Sequence, residues 1–151
     1  MIESLKFSVV RDLDKLKREL TSYKNPNENI WISKPEVSYS AGNLCLHLLG
    51  NLNHFIGAVL GNTGYIRNRD LELSQKDIPV DELIKQIDET ILTVEKTFDN
   101  ITTDMLNQDY PILFNNQKIT TCQMLINTVC YLNYHLGQIN IHRKLFNKSG
   151  E

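Results

Sequence analysis

Cysteine is scarce in this sequence, and its spacing shows no disulfide pattern. The three cysteines, Cys45, Cys122 and Cys130, are an odd number without a CxxC pair, which argues against a secreted disulfide framework and for a reducing compartment. The first residues lack the basic-then-apolar order of a signal peptide. Asn, Gly or His interrupts every apolar stretch that approaches the length of a membrane span. We therefore expect a cytoplasmic protein without a membrane segment.

Dense runs of basic residues are also lacking. The formal net charge is −2, and Lys and Arg form no cluster able to grip a phosphate backbone. This argues against nucleic acid or an anionic membrane as a partner. A chain of 151 residues fits one domain with a sizeable core. Because no repeat or linker-like tract divides the chain, we predict that residues 1–151 form a single domain.

Strand-like alternation is missing, whereas apolar residues recur at spacings of three and four in four stretches. The predicted helices cover about 4–23, 41–60, 80–101 and 120–146. Ser40 is a suitable N-cap for the second helix, and Thr120 with Gln123 forms a capping box for the fourth. The pattern predicts an all-α fold, a four-helix bundle with long loops between helices 1–2, 2–3 and 3–4.

Charge is distributed unevenly among these helices. Residues 37–66 and 119–142 contain no Asp, Glu, Lys or Arg, whereas the first and third helices look like surface helices with one buried stripe. The second and fourth helices must therefore be covered on more faces than a monomeric bundle usually supplies. They form the most buried pair or also face a second subunit. We expect both, with a homodimer through helices 2 and 4.

A polar, uncharged stripe runs along each of these two helices. The stripes are Asn43, His47, Asn51 and His54, and Thr128, Tyr131, His135, Gln138 and His142. Solvated faces normally carry Lys and Glu, so these residues indicate buried hydrogen-bonded groups or a wet cavity rather than weakly polar surface. The histidines are either satisfied core residues or ligands, with Asn51 and Gln138 as hydrogen-bonding supports that fix their tautomers. We expect Cys45 and Cys130 to be core thiols.

Two segments resemble a known family. Residues 44–52, LCLHLLGNL, are similar to the second-helix motif of the DinB/YfiT-like superfamily, a leucine-rich segment around a metal-binding histidine. Residues 134–139, YHLGQI, followed by Arg143 and Leu145, resemble its fourth-helix signature H-x-G-Q-I-x-x-x-R. The loop 67–70 and the helix order also fit, so the resemblance covers nearly the whole chain. It implies a four-helix bundle with a metal site between helices.

The resemblance also implies a chemistry. In that family three histidines hold a divalent metal, commonly nickel or zinc, and characterised members include mycothiol- or bacillithiol-using transferases and a mycothiol-dependent maleylpyruvate isomerase. The metal stabilises the thiolate of a low-molecular-weight thiol, which is the nucleophile. By transfer, His47 and His135 match two ligands, but Tyr131 stands where the third histidine is expected. A phenol with an ordinary pKa near 10 is a poorer ligand than imidazole at neutral pH.

Two functions therefore remain open at this point. The first is a metal-dependent, thiol-using transferase or hydrolase-type enzyme with an incomplete triad, whose metal ligands are His47, His135 and Tyr131. The alternative is a non-catalytic binding protein that has lost the metal and holds a small molecule or simply packs its pocket. His54 and His142 each lie seven residues from a ligand histidine, about 10.5 Å along a helix, so we do not expect either to complete the site. No catalytic residue is assigned.

Overall fold

The computed structural model describes residues 1–147. The regular secondary structure of these residues is helical, and they contain no β-strand. A π-helical segment, Asn53–Ala58, joins the α-helices Ala41–Leu52 and Val59–Gly61, so that residues 41–61 form one continuous helix. The α-helices are α1 (Ile2–Thr21), α2 (Pro26–Asn29), α3 (Ala41–Leu52), α4 (Val59–Gly61), α5 (Arg69–Ser74), α6 (Val80–Phe98), α7 (Thr103–Asn107) and α8 (Thr121–Phe146). The predicted all-α class is confirmed for this part of the chain.

Local capping explains where the long helices begin. The Ser40 hydroxyl accepts from the backbone N–H of Asn43, and Thr120 and Gln123 form both hydrogen bonds of the predicted capping box. The predicted loops differ from the structure because they contain the short helices α2, α5 and α7. Asn68 and Thr102 cap α5 and α7 through their side-chain oxygens, a signal that the apolar periodicity alone does not carry.

Ion pairs and polar contacts show the direction in which α1 runs against its neighbours. The ion pairs Lys6–Asp99 and Lys17–Asp88 place α1 antiparallel to α6. Asp12 accepts from Asn133, and Glu19 pairs with Arg143 further along both helices, so α1 and α8 run parallel. α1 therefore packs between α6 and α8.

The continuous helix 41–61 packs on the opposite side of α6 and α8 from α1. It runs parallel to α6, because Asn53 donates to Thr90 and Gly61 lies against Thr97. It runs antiparallel to α8, because His47 contacts Tyr131 while residues further along α3 and its π segment line a cavity with Met124. This antiparallel pair positions the candidate site.

Eleven of the twelve residues of α3 are buried within the chain itself. The segment that carries α5 covers part of this helix, since the Asn43 amide donates to the backbone carbonyls of Glu72 and Gln75 at 3.0 and 2.7 Å. The lack of charge in α3 thus has an intramolecular explanation. In α8, by contrast, Tyr134, Ile141 and Leu145 remain exposed.

One helix, Ala41–Gly61, is long and apolar enough to cross a membrane by length and composition. The expectation that polar residues disqualify every stretch is therefore wrong on these two criteria, because the mean hydropathy of 1.3 outweighs the scattered Asn, Gly and His. Of its most apolar window, 56% is buried inside the protein, as in the core helix of a globular domain.

Candidate functional site

Three aromatic side chains from α3 and α8 meet at one point between the two helices. The ring centroids of His47 and His135 are 5.5 Å apart, and those of Tyr131 and His135 are 4.5 Å apart. Tyr131 and His135 lie one turn apart on α8 and share a face. The structure thus brings together all three residues that the sequence proposes as ligands.

Glu72 orients the His47 ring. Nδ1 of His47 lies 3.1 Å from Oε1 of Glu72 and 3.3 Å from Nη2 of Arg67. The carboxylate is closer and can only accept, and Nη2 of Arg67 already donates to Glu72 at 3.0 Å, so Nδ1 carries the proton. The other ring nitrogen, Nε2, then accepts from the Tyr131 hydroxyl at 2.5 Å. Burial and the charge of Arg67 lower the pKa of His47 despite the nearby carboxylate, which keeps the imidazole neutral.

Glu72 is itself buried and held by Arg67. Nε and Nη2 of Arg67 donate to the two carboxylate oxygens, each at 3.0 Å, which is the paired geometry that suits a guanidinium. Gly50 makes room for this carboxylate, because a Cβ there would lie 1.8 Å from Oε2 of Glu72. Sequence reasoning missed Glu72 and treated Arg67 only as part of a loop. The signal present in the sequence was Gly50, three residues after His47, where the missing side chain leaves room for another group to pack.

The ring of His135 has one satisfied and one unsatisfied nitrogen. The amide oxygen of Gln138 lies 2.6 Å from Nδ1, so Nδ1–H donates to it, as the sequence proposes for Gln138. The remaining Nε2 is buried and has no hydrogen-bond partner among residues 1–147. Burial lowers the pKa of His135, so this nitrogen is an unprotonated acceptor at neutral pH. An unpaired buried acceptor costs about 1–3 kcal/mol and therefore points to a missing partner.

Asn51 lies in the same region but does not form the predicted hydrogen bond to a histidine ring. It lines the cavity beside His47, but it makes no hydrogen bond to His47 or His135 in the described part of the chain. Glu72 occupies the orienting position instead, because α5 packs on α3 at the His47 level.

The two other histidines have separate surroundings. His142 is buried; its Nε2–H donates to the Ile32 carbonyl at 2.8 Å, and its Nδ1 accepts from the Tyr23 hydroxyl at 2.7 Å. The ring of His54 packs against Phe55, with centroids 4.7 Å apart. Neither joins His47 and His135, in line with their distance along the helices.

A cavity of about 710 Å³ opens beside His47 and Tyr131. It lies between α3 with its π segment, the loop before α5, the 110–120 connection and α8. Cys130 lines it and is exposed, so the prediction of a core thiol is wrong there: position 130 lies on the open side of α8. Cys45 is fully buried as predicted, and burial raises the pKa of its thiol to about 12.

The donor set decides whether a divalent cation fits. Nε2 of His47 accepts from the phenol of Tyr131, and the His135 ring packs against the same phenol ring with its Nε2 unpaired among residues 1–147. The Nδ1 atom of each histidine is held by a hydrogen-bond acceptor. Burial raises the pKa of Tyr131, although Arg67 and Arg69 oppose this, so the phenol is neutral at pH 7. Within residues 1–147 no cluster of three or more His, Cys, Asp or Glu side chains forms. The residues fit a cation held by two imidazoles, with fewer strong donors than three histidines.

One comparison with known proteins identifies a family for this chain. The family described as "Protein of unknown function (DUF1572)" matches residues 4–150, nearly the whole chain. No curated protein and no solved structure matches the sequence. The protein therefore belongs to the DUF1572 family.

Proposed function

We propose that this protein is a four-helix-bundle metalloprotein of the DinB-like type that works as a metal-dependent, thiol-using transferase. His47 and His135 would hold the cation, nickel or zinc, through their Nε2 atoms. The Tyr131 hydroxyl, which here donates to Nε2 of His47, would leave that nitrogen and serve as a weak third ligand. The observation that carries the proposal is the buried Nε2 of His135, which has no partner among residues 1–147. A buried imidazole lone pair next to a second oriented imidazole is the arrangement that a divalent metal satisfies.

Hydrogen bonds behind the two histidines support this reading. Glu72 keeps the proton of His47 on Nδ1, and Gln138 keeps that of His135 on Nδ1. Both Nε2 lone pairs are thereby free of protons, which is the state that metal ligation requires. Carboxylate or amide partners of this kind also fix the orientation of ligand rings and raise their basicity.

A bound divalent cation would lower the pKa of a coordinated low-molecular-weight thiol and supply a thiolate at neutral pH. The chain's own residues bind and orient the reactants. The neutral Tyr131 hydroxyl sits at the cavity wall and donates to His47 Nε2 at 2.5 Å. Coordination of a cation by that nitrogen would free the hydroxyl, either to bind the ion weakly or to donate its proton to a leaving group. The cavity receives the second substrate next to this hydroxyl.

Metal content tests the proposal. Tag-free protein, incubated with nickel or zinc and desalted, is expected to retain close to one ion per chain by elemental analysis. His47→Ala removes an imidazole and should lose the ion, while His54→Ala, a matched control outside the site, should retain it. Wild-type protein that stays metal-free in excess ion, or a His47→Ala variant with full occupancy, would show the proposal to be wrong.

A second candidate function is a non-catalytic binding protein without metal. It is favoured by the Tyr131 hydroxyl, which already satisfies Nε2 of His47. Under this alternative the cavity holds a small molecule and the site carries out no turnover. Tyr131→His separates the two functions: if the parent neither binds metal nor transfers thiols and the variant does both, the binding protein is the correct description.

A further inference from the structure

The cavity beside His47 is positively charged although the protein is not. Arg67 and Arg69 line it, and none of its described lining residues is Asp or Glu. The chain as a whole carries a formal net charge of −2, so this local excess is not a consequence of a basic surface. A cavity walled by one sign of charge attracts ligands of the opposite sign.

The two arginines play different parts. Arg67 is committed to Glu72 through two hydrogen bonds of 3.0 Å. Arg69 lines the same cavity, is exposed, and makes no side-chain hydrogen bond or ion pair within residues 1–147. Its guanidinium is therefore the available cation, with a fork of donors that matches a carboxylate.

Aromatic rings form another wall of the cavity. The rings of Phe55 and Phe114 meet edge to face, with centroids 5.9 Å apart, and both line the cavity. A two-residue turn holds Phe114 there: Asn115 and Asn116 both have positive φ, and Phe114 and Gln117 exchange backbone hydrogen bonds of 2.9 Å. Asparagine tolerates this left-handed turn, which is of the tight hairpin type.

We infer that the cavity binds a small organic acid whose carboxylate pairs with Arg69 and whose planar apolar body packs on Phe55 and Phe114. The inference names the substrate class of the proposed site, and in that sense rests on the proposed function. Arg69 and the aromatic wall are nevertheless distinct from the histidines that would hold metal. The amides of Asn51 and Asn127, which also line the cavity, offer donors and acceptors for further polar groups of such an acid.

The test compares two probes of nearly the same size and shape, one with a charged carboxylate and one with a neutral carboxamide. Naphthalene-2-carboxylate and the neutral naphthalene-2-carboxamide are titrated calorimetrically into the full chain after EDTA treatment and desalting. We expect the carboxylate to bind about tenfold more tightly or better, since a charge-assisted hydrogen bond is roughly that favourable. Arg69→Gln should remove this preference, while Arg18→Gln, an equal charge change on the exposed side of α1, should leave it intact. Phe55→Ala should weaken the binding of both probes, because it removes part of the aromatic wall.

The possible results distinguish failure of this inference from failure of the proposed metal site. If carboxylate and carboxamide bind equally, if neither binds, or if Arg69→Gln keeps the preference, the inference is overturned whatever the metal content. If the carboxylate binds only to metal-loaded protein and Arg69→Gln leaves its affinity unchanged, the carboxylate is a metal ligand, and the inference again fails. A preference that depends on Arg69 in a protein that takes up no metal would support the inference while the proposed metal site fails.

Discussion

Glu72 approaches α3 at the one position of that turn without a side chain. A Cβ on residue 50 would lie 1.8 Å from Oε2 of Glu72, and the carboxylate is anchored by Arg67 and by the His47 ring. Any side chain at position 50 must therefore displace the carboxylate, and we expect the contacts with Arg67 and His47 to be lost because Glu72 is buried. The orientation of His47 depends on a glycine that makes no hydrogen bond to it.

The first residue-scale prediction concerns Gly50→Ala. We expect it to destabilise the fold by about 1–3 kcal/mol in urea unfolding, because a buried carboxylate or imidazole loses its partner. Long-range ¹H–¹⁵N spectra of the histidine rings should show His47 leaving the Nδ1–H tautomer. Gly137→Ala is the matched control: its Cβ meets nothing within 4 Å, and alanine in an exposed helix should stabilise by about 0.5–1 kcal/mol. An unchanged His47 tautomer in Gly50→Ala would contradict the role given to Glu72.

At this scale the sequence predicts what lies within one helical turn. His135 and Gln138 are three residues apart on α8, so their hydrogen bond is local and can be read from the spacing. Glu72 is 25 residues from His47 and lies among charged residues of a segment that the sequence predicts as a loop, where a carboxylate is expected to be solvated. Only the packing of α5 on α3 makes it part of the site.

Among the elements, α8 contributes residues to two separate regions, the candidate site and a hydrogen-bonded contact near the end of α1. Near its middle it supplies Tyr131 and His135, and near its end His142 ties it to the end of α1 and to the α2–α3 linker. His142 is fully satisfied as a neutral ring: Nε2–H donates to Ile32, and Nδ1 accepts from Tyr23. Burial lowers the pKa of His142, and the backbone hydrogen bond only partly opposes this.

His142 therefore makes the stability of the fold depend on pH. Its pKa is lower in the folded state than its unfolded value of about 6.5, so the unfolded chain binds more protons below that pH and the free energy of unfolding falls as pH drops. In urea unfolding at pH 7.5 and 5.5, His142→Gln should lose less stability between the two pH values than wild type, by at most about 1.4 kcal/mol per pH unit. Tyr23→Phe, which keeps the titrating ring, should retain a wild-type-like slope. Equal slopes for His142→Gln and wild type would rule out this contribution.

The continuous helix 41–61 shows where element prediction falls short. Its extent is close to the predicted one, but the π segment Asn53–Ala58 has no counterpart in the apolar pattern. This segment brings Phe55 to the cavity, and the Phe55 carbonyl accepts from the Tyr110 hydroxyl at 2.7 Å. A π turn arises when tertiary partners satisfy the displaced backbone groups, and those partners lie far away in the sequence.

On the scale of the whole molecule, the uncharged face of α8 stays open. Tyr134 and Ile141 are 65% and 53% exposed, and Leu145 continues the same face. α3, the other helix of the predicted dimer, is covered inside the chain, so the dimer hypothesis now depends on α8. Exposed apolar side chains on a charge-free helix face are typical of a contact with a second copy.

We predict that Ile141→Glu shifts a homodimer to monomer. Wild-type protein should scatter light as about twice the chain mass of 17.4 kDa, and the variant as a single chain, because an unpaired carboxylate would be buried in the contact. Leu92→Glu adds the same charge at a 65% exposed position of α6 and should leave the dimer intact. Wild-type protein at 17.4 kDa would remove the dimer hypothesis. A cytoplasmic location likewise remains a prediction.

The sequence alone determined the four long helical segments and the residues that share a turn within them. Apolar spacing, the Ser40 and Thr120 caps and the His135–Gln138 pair are interactions within a few residues, so they follow from the order of the amino acids. The tertiary structure alone decided that Glu72 orients His47, that Nε2 of His135 is buried without a partner among residues 1–147, and that Arg69 lines the cavity. These contacts join segments tens of residues apart, and only the burial of several helices against one another selects which distant groups meet.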